Sequence, residues 1–424
     1  MAITDDYLPR FADTVLSDML QTFKAIYIAG PKWCGKTSTA ERQAKSTLYM
    51  QDPDTIKSNL KAADTKPSLL LIGEKPRLLD EWQVAPSLWD AVRFAVDKNS
   101  ERGQYILTGS ATVKDGSTMH TGTGRIARMV MRPMSLYESK ESSGHVSLKA
   151  LFESEQDIEG VSSLSIEKLA FVLARGGWPD AVTVKDNRRA LNQVYDYVEA
   201  VINTDVSKVD EVQRDPERVR ALMRSLARNI STQANISTLR ADLSGDEESI
   251  SESTVSSYIN AMSKLFVVED LRAWNPAVRS KTAVRTSPTR HFVDPSIAAA
   301  VLRIGPDGLL KDFETFGLLF ESLVIRDLRI YSELIDGEIF HYRDKNDLEA
   351  DAVVQLRDGR WGAVEVKMGS SEIEKAAANL LKLKATVNTE KMNEPSFLMV
   401  VTASAYAYRR PDGVYIVPIG CLKN

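Results

Sequence analysis

Cysteine is almost missing from this chain: Cys34 and Cys421 are the only two in 424 residues. Two thiols near opposite ends make no disulfide framework and suit a reducing compartment. The opening stretch MAITDDYLPRF has two acids but neither a basic start nor an apolar core. It therefore does not read as a signal peptide. No stretch approaches the roughly 18 apolar residues needed to cross a bilayer, so the expectation is a cytoplasmic protein with no membrane partner. Charge of one sign is also lacking: 54 basic against 58 acidic residues leave a net charge of −4. No global positive field draws the chain to nucleic acid, and any polyanion site must be a local patch. No internal repeat at a fixed period is apparent.

What is present is ordinary globular material, 43% hydrophobic and 26% charged, and a length that suggests two to four domains at roughly 100–200 residues each. Residues 1–140 read as alternating strands and helices. Apolar runs at Ala25–Ala29, STLYMQD, Pro76–Glu81, Gln104–Gly109 and Ile126–Met131 are spaced as strands of a parallel, doubly wound sheet. Residues 141–160 are polar and read as a surface insertion or linker. Residues 141–305 are otherwise helical, with a second helix after Ser251, capped there, and strand-like residues at Phe266–Val268. Helix, loop, helix and strand pair is the order of a winged helix-turn-helix. Residues 306–424 read as α+β: a helix from Phe313 to Arg329, strands near 338–342, 351–356 and 361–366, another helix near Ser371, and two closing strands.

The strongest motif is GPKWCGKT, Gly30–Thr37, between a strand and a helix. It fits the phosphate-binding loop G-x-x-x-x-G-K-[ST]. Glycines let backbone N–H groups turn inward onto phosphate oxygens, and the helix N-terminus adds partial positive charge. Gly30, Pro31, Lys32, Trp33, Cys34, Gly35, Lys36, Thr37 and Ser38 form the candidate nucleotide-binding set. Lys36 is expected to reach the β- and γ-phosphates and Thr37 to ligate Mg²⁺. PRLLDEW ends a second strand in an acidic pair, with Asp80 assigned to magnesium and Glu81 to polarising the attacking water. Ser110 or Thr108, ending a third strand, is a candidate sensor of the γ-phosphate. Arg125 and Arg128, in GTGRIAR, could supply charge to the transition state in cis or to a neighbouring subunit. No guanine-reading motif stands out, so the nucleotide is taken as ATP.

PKWCGKTSTA, PRLLDEWQ, ILTGSA and GRIARMVMRPMSLYE, with GGWPD, LFESLVIRDL, HYRDKNDLEADAVV and AVEVKMG after them, resemble the bacterial AAA-like ATPases that carry a C-terminal domain of unknown function. The resemblance covers nearly the whole chain. It implies an ATPase core in residues 1–140, a winged-helix middle in 141–305 and a domain similar to PD-(D/E)XK nucleases in 306–424. AAA-type sites often borrow an arginine from a neighbour, so a homo-oligomer or another protein partner is open.

The C-terminal part holds a second constellation. Asp351 lies on one strand and Glu365 and Lys367 lie on the next, two apart and so on one face. The two acids could converge on a second divalent metal, with Lys367 beside a scissile phosphate. Glu321 is placed as the extra helical carboxylate of such nucleases. Arg272, Arg279, Lys281, Arg285 and Arg290 follow the second helix of the middle region and could touch DNA phosphates. Ser253, Ser256, Ser257 and Asn260 would then face the groove. Three readings follow: an ATP-driven DNA-associated machine, an ATP-switched protein scaffold with an inert C-terminal domain, and an ATP-gated metal-dependent nuclease.

Overall fold

Five short runs build the first sheet: β1 (Ala25–Ala29), β2 (Ser46–Tyr49), β3 (Arg77–Asp80), β4 (Tyr105–Gly109) and β5 (Ile126–Val130). The computed structural model describes residues 7–110, 122–155, 157–210, 212–243, 250–276, 287–387 and 392–424. The sheet order is β2-β3-β4-β1-β5, and every pairing is parallel. β1 and β4 are buried at all five positions. That is why they read as unbroken apolar runs, with helices on both faces. Parallel order brings the C-terminal ends of β1, β3 and β4 together on one rim, where ligands gather in open α/β sheets.

The second sheet has seven strands in the order β7-β12-β13-β11-β10-β9-β8, with β13 at Tyr415–Pro418. One end of it is an antiparallel meander of β8 (Gly337–Arg343), β9 (Glu349–Leu356) and β10 (Trp361–Lys367). β10 then pairs in parallel with β11 (Phe397–Thr402), after the intervening helix Ile373–Thr386. The helix Phe313–Glu333 precedes the meander; its residues from Ser322 to Ser332 are all buried. No helix among the described residues is long and apolar enough to cross a membrane.

Two expectations need correction here. Residues 141–160 are not a free surface linker. Within and just beyond them lie β6 (Val146–Ser147), paired with β14 (Leu422–Lys423), and β7 (Glu159–Val161), paired with β12 (Tyr406–Arg409). Short edge strands leave little periodic signal, so polarity is all that marks these residues in the sequence. The strand pair expected at Phe266–Val268 is only a set of isolated bridges, Val268 with Phe292 and Leu271 with Thr289. The helix before it, Glu252–Lys264, is capped by Ser251, whose hydroxyl accepts the Thr254 N–H at 3.1 Å. Arg279, Lys281 and Arg285 lie outside the described residues.

Buried ion pairs join the parts. Arg326 on the long helix meets Asp294 and Asp327, both at 2.7 Å and all at most 1% exposed. Asp294 also accepts the Gly177 N–H, and Asp327 accepts the Leu136 N–H, each at 3.0 Å. Arg132, just after β5, pairs with Glu269 at 2.6 Å and with Glu333, while Arg329 reaches Glu269 at 2.9 Å. Burial works against the Glu269 charge, but the two arginines draw its carboxyl down to about 2. A buried charge left without its partner is costly, so these groups tie the N-terminal sheet, the middle helices and the long helix to one arrangement.

Candidate active site

The loop after β1 must double back under the next helix, and two of its residues must be glycine. A Cβ on Gly30 would sit 2.2 Å from the Met131 carbonyl oxygen, a backbone atom with no room to yield. Gly35 has φ +97° and caps the helix Lys36–Gln43 without any side-chain acceptor. The first N–H groups of that helix therefore remain available to an anion. Lys36 is buried, and its Nζ donates to the carbonyl oxygens of Gly30 at 3.0 Å and Pro31 at 2.7 Å.

The three strand ends supply the rest. Thr37 Oγ1 and Thr108 Oγ1 both donate to Asp80 Oδ1 at 2.7 Å. A hydroxyl and a carboxylate side by side are hard oxygen donors of the kind a Mg²⁺ takes while keeping most of its waters, so the residues fit that ion. Glu81 follows in a left-handed conformation, φ +54°, with its N–H donated to Thr108 Oγ1 at 3.3 Å. Its carboxylate accepts from the Gln83 amide and, at 3.5 Å, from Ser110 Oγ. Burial raises the Glu81 carboxyl above its ordinary value, against the pull of Lys36; Asp80 adds to the rise, and Gln83 and Lys32 oppose it. The structure thus brings Lys36, Thr37, Asp80, Glu81, Thr108 and Ser110 to one rim.

It does not bring the two arginines there. In the β1–β5 register Ala25 lies opposite Ile126 and Tyr27 opposite Arg128. Arg125 therefore sits at the N-terminal end of the sheet, about 16 Å of strand from the loop at roughly 3.3 Å per residue. It pairs with Asp97 at 2.9 Å. Arg128, in mid-strand, stands over the Phe266 ring at 5.4 Å. A cis role at the γ-phosphate does not fit either residue.

Three features of the site have no signal in the motif. Arg10, buried before the first helix, donates to the Cys34 carbonyl at 2.9 Å and to the Arg132 carbonyl at 2.8 Å, and pairs with Glu138 at 3.1 Å. Lys32 pairs with Asp205 at 2.6 Å. Trp33 lies 5.7 Å from Tyr197, which itself packs on Trp178 at 4.4 Å. Their partners stand between 24 and 173 residues away in sequence, so only the fold reveals them. Cys34 is buried, with Sγ 3.5 Å from the Met131 carbonyl oxygen.

In the C-terminal sheet the second constellation does converge, but on its own lysine. The register that sets Val364 opposite Ala352 puts Glu365 beside Asp351. Asp351 accepts the Val366 N–H at 2.6 Å, and Lys367 Nζ lies 2.8 Å from Glu365 and 3.5 Å from Asp351. Burial, with Asp351 next, pushes the Glu365 carboxyl up to about 7, and Lys367 opposes the rise. Glu321 is raised well above its ordinary value by burial and then by Asp351. Burial disfavours the Lys367 charge, yet Asp351 and Glu365 hold it above its usual range. Among the described residues no group of three or more His, Cys, Asp or Glu is arranged to hold a metal ion. The expected second metal thus finds no support there, and a single ammonium, Lys367, faces the acids instead.

The nucleic-acid candidates divide. Ser253, Ser257 and Asn260 are exposed and Ser256 half-buried on their helix. Arg290 is buried, bonded to Asp270 and the Ala234 carbonyl, so it cannot meet a phosphate. Arg272 is exposed and paired with Glu338.

Comparison with known proteins agrees with the first sheet. Residues 22–140 match the family described as AAA domain. The N-terminal sheet is that of an AAA-like P-loop domain. Residues 166–308 and 316–422 match two domains of unknown function, DUF8612 and DUF4143. No curated protein matches the chain. Among solved structures, the Walker-type ATPase PABY2304 of Pyrococcus abyssi is 16% identical, with TM-score 0.43, over 70% of this chain and 97% of that one. The Aeropyrum pernix Orc1 protein in complex with DNA is 17% identical, with TM-score 0.23, over 71% of this chain and 95% of that one. TM-scores this low do not define a common overall fold.

Proposed function

We propose that the chain is a Mg²⁺-dependent ATPase whose nucleotide state is passed to its helical and C-terminal parts. The observation that carries this reading is the meeting of Lys36, Thr37, Asp80 and Glu81 on one rim, with Thr37 and Thr108 both bonded to Asp80 Oδ1 at 2.7 Å. Bound Mg²⁺, next to Thr37 and Asp80, would neutralise charge on the phosphates. Lys36 leaves the loop carbonyls for the β- and γ-phosphate oxygens, which offer full charge in place of a dipole. Glu81, fixed by Gln83 and Ser110 on one oxygen, keeps the other for a water. Ser110, next to that carboxylate, senses the γ-phosphate.

For the remaining parts, the scaffold reading is favoured over the nuclease reading by Lys367, which bonds Asp351 and Glu365 from within the chain. The helix, three-strand meander, helix and parallel strand of the C-terminal part suit a nuclease-like fold kept for binding. Burial of Arg290 removes one of the cations expected on DNA, which weakens the DNA-associated reading. Phosphate release from Mg²⁺-ATP, by wild type and Lys36→Ala, with and without duplex and single-stranded DNA, tests all of this. Turnover that needs Lys36 and ignores DNA is expected. Turnover that rises with DNA at low salt would restore the DNA-associated machine, and turnover unaffected by Lys36→Ala would remove the ATPase assignment.

A further inference from the structure

With Arg125 at the far end of β5 and Arg128 over Phe266, neither arginine puts a cation beside Lys36 of its own chain. The loop carries one itself. Lys32 is its third residue, directly after Pro31, whose carbonyl accepts from Lys36 Nζ at 2.7 Å. Lys32 therefore starts from the stretch of backbone that Lys36 is bonded to. Its partner comes from the helical part: Lys32 Nζ lies 2.6 Å from Asp205 Oδ1, the lysine side chain 47% exposed and the aspartate 8%. Asp205 ends a five-residue π-helical turn, Val201–Asp205, that follows the helix Asn187–Ala200. Such turns are rare and concentrate at functional sites. The next loop residue is docked on the same element: Trp33, at φ +65°, lies 5.7 Å from Tyr197. Two adjacent loop residues are thus held by one helix, with a buried carboxylate aimed at a half-free ammonium.

We propose that Lys32 is a catalytic residue, the P-loop's own cation for the γ-phosphate, and that Asp205 is the positioning residue that holds it. The inference rests on the ATPase reading. In the step it serves, water oxygen forms a bond to the γ-phosphorus and the bond from that phosphorus to the β–γ bridging oxygen breaks. The electron pair leaves on ADP, and the water proton passes to Glu81. Charge develops on the bridging and γ-phosphate oxygens. An ammonium has three donors, so Lys32 can keep one on Asp205 and turn the others to those oxygens.

The test measures kcat, KM and melting temperature for Lys32→Ala, Lys32→Arg, Asp205→Asn and the double variant K32A/D205N. It also measures the affinity of each for ADP and for ADP with aluminium fluoride. Lys32→Ala should lower kcat on the order of 10²-fold with KM changed by less than about threefold. Lys32→Arg should recover most of the rate. Asp205→Asn should lose about tenfold, and the double variant should be no worse than Lys32→Ala alone, because the two act as a unit. Affinity for ADP with aluminium fluoride should fall in step with kcat while affinity for ADP holds. An active wild type with Lys32→Ala within about threefold of its kcat overturns the proposal and leaves the ATPase reading standing. Equal loss of both affinities also overturns it, since Lys32 would then be a plain binding residue. A wild type without turnover overturns both.

Discussion

At the P-loop, Lys36 donates to the neutral carbonyls of Gly30 and Pro31, and Asp80 accepts from two neutral hydroxyls. In the C-terminal sheet, Lys367 donates to the carboxyl groups of Glu365 and Asp351. The residue types are the same and the consequences opposite. Charges held by dipoles keep their demand for a counter-ion, and so wait for phosphate and for magnesium. Groups that bond one another already have a partner, and a metal would have to compete with the lysine. Chemical competence thus follows from what a charged group is bonded to, and a list of acids and lysines does not reveal it.

The largest effect should come from breaking the open site. Lys36→Ala is expected to lower ATP turnover on the order of 10²-fold or more, since it removes a cation that charge-assists the transferring group; phosphate release checks it. Asp80→Asn should weaken Mg²⁺ affinity about 10–100-fold, read as a rise in the magnesium concentration at half-maximal turnover. On the closed site the same kind of change should act on stability. Lys367→Met leaves two carboxylates facing each other and should cost about 3 kcal/mol, with most of it regained in K367M/E365Q. Denaturant midpoints measure both, and ATP turnover of the pair should stay near wild type.

The smallest effect at neutral pH, growing only on acidification, comes from a buried histidine of the same sheet. Burial pushes His341, on β8, from 6.5 down to about 4. Its folded value is below its unfolded one, so the stability it contributes is complete above pH 6.5 and fades as pH falls toward 4. The full span is about 3 kcal/mol. His341→Gln should remove that part of the acid sensitivity. Buried His291, lowered well below its ordinary value chiefly by burial, adds to the loss and should persist in the variant.

The P-loop was legible because its chemistry is local: eight consecutive residues hold the glycines, the lysine and the threonine, and an apolar run announces the strand before them. Asp80 and Glu81 were legible from a strand ending in two acids. Arg125 lies away from its own chain's P-loop for a simple geometric reason. A glycine-rich loop before a strand feeds the strand's N-terminal end, whereas phosphates gather at the C-terminal ends. Arg290 misled because a basic residue in sequence does not declare its partner, here Asp270 twenty residues earlier. Asp205 and Arg10 were invisible for the same reason, being joined to the loop only by folding. Val146–Ser147 and Glu159–Val161 are too short to show a period of two, so their place in the sheets could not be read from polarity.

The most direct test of the account is Glu81→Gln, assayed for ATP affinity and for phosphate release under the same magnesium concentration. The account predicts ATP affinity close to wild type and release slowed on the order of 10²-fold or more. Release at the wild-type rate would contradict the assignment of this rim as a hydrolytic site.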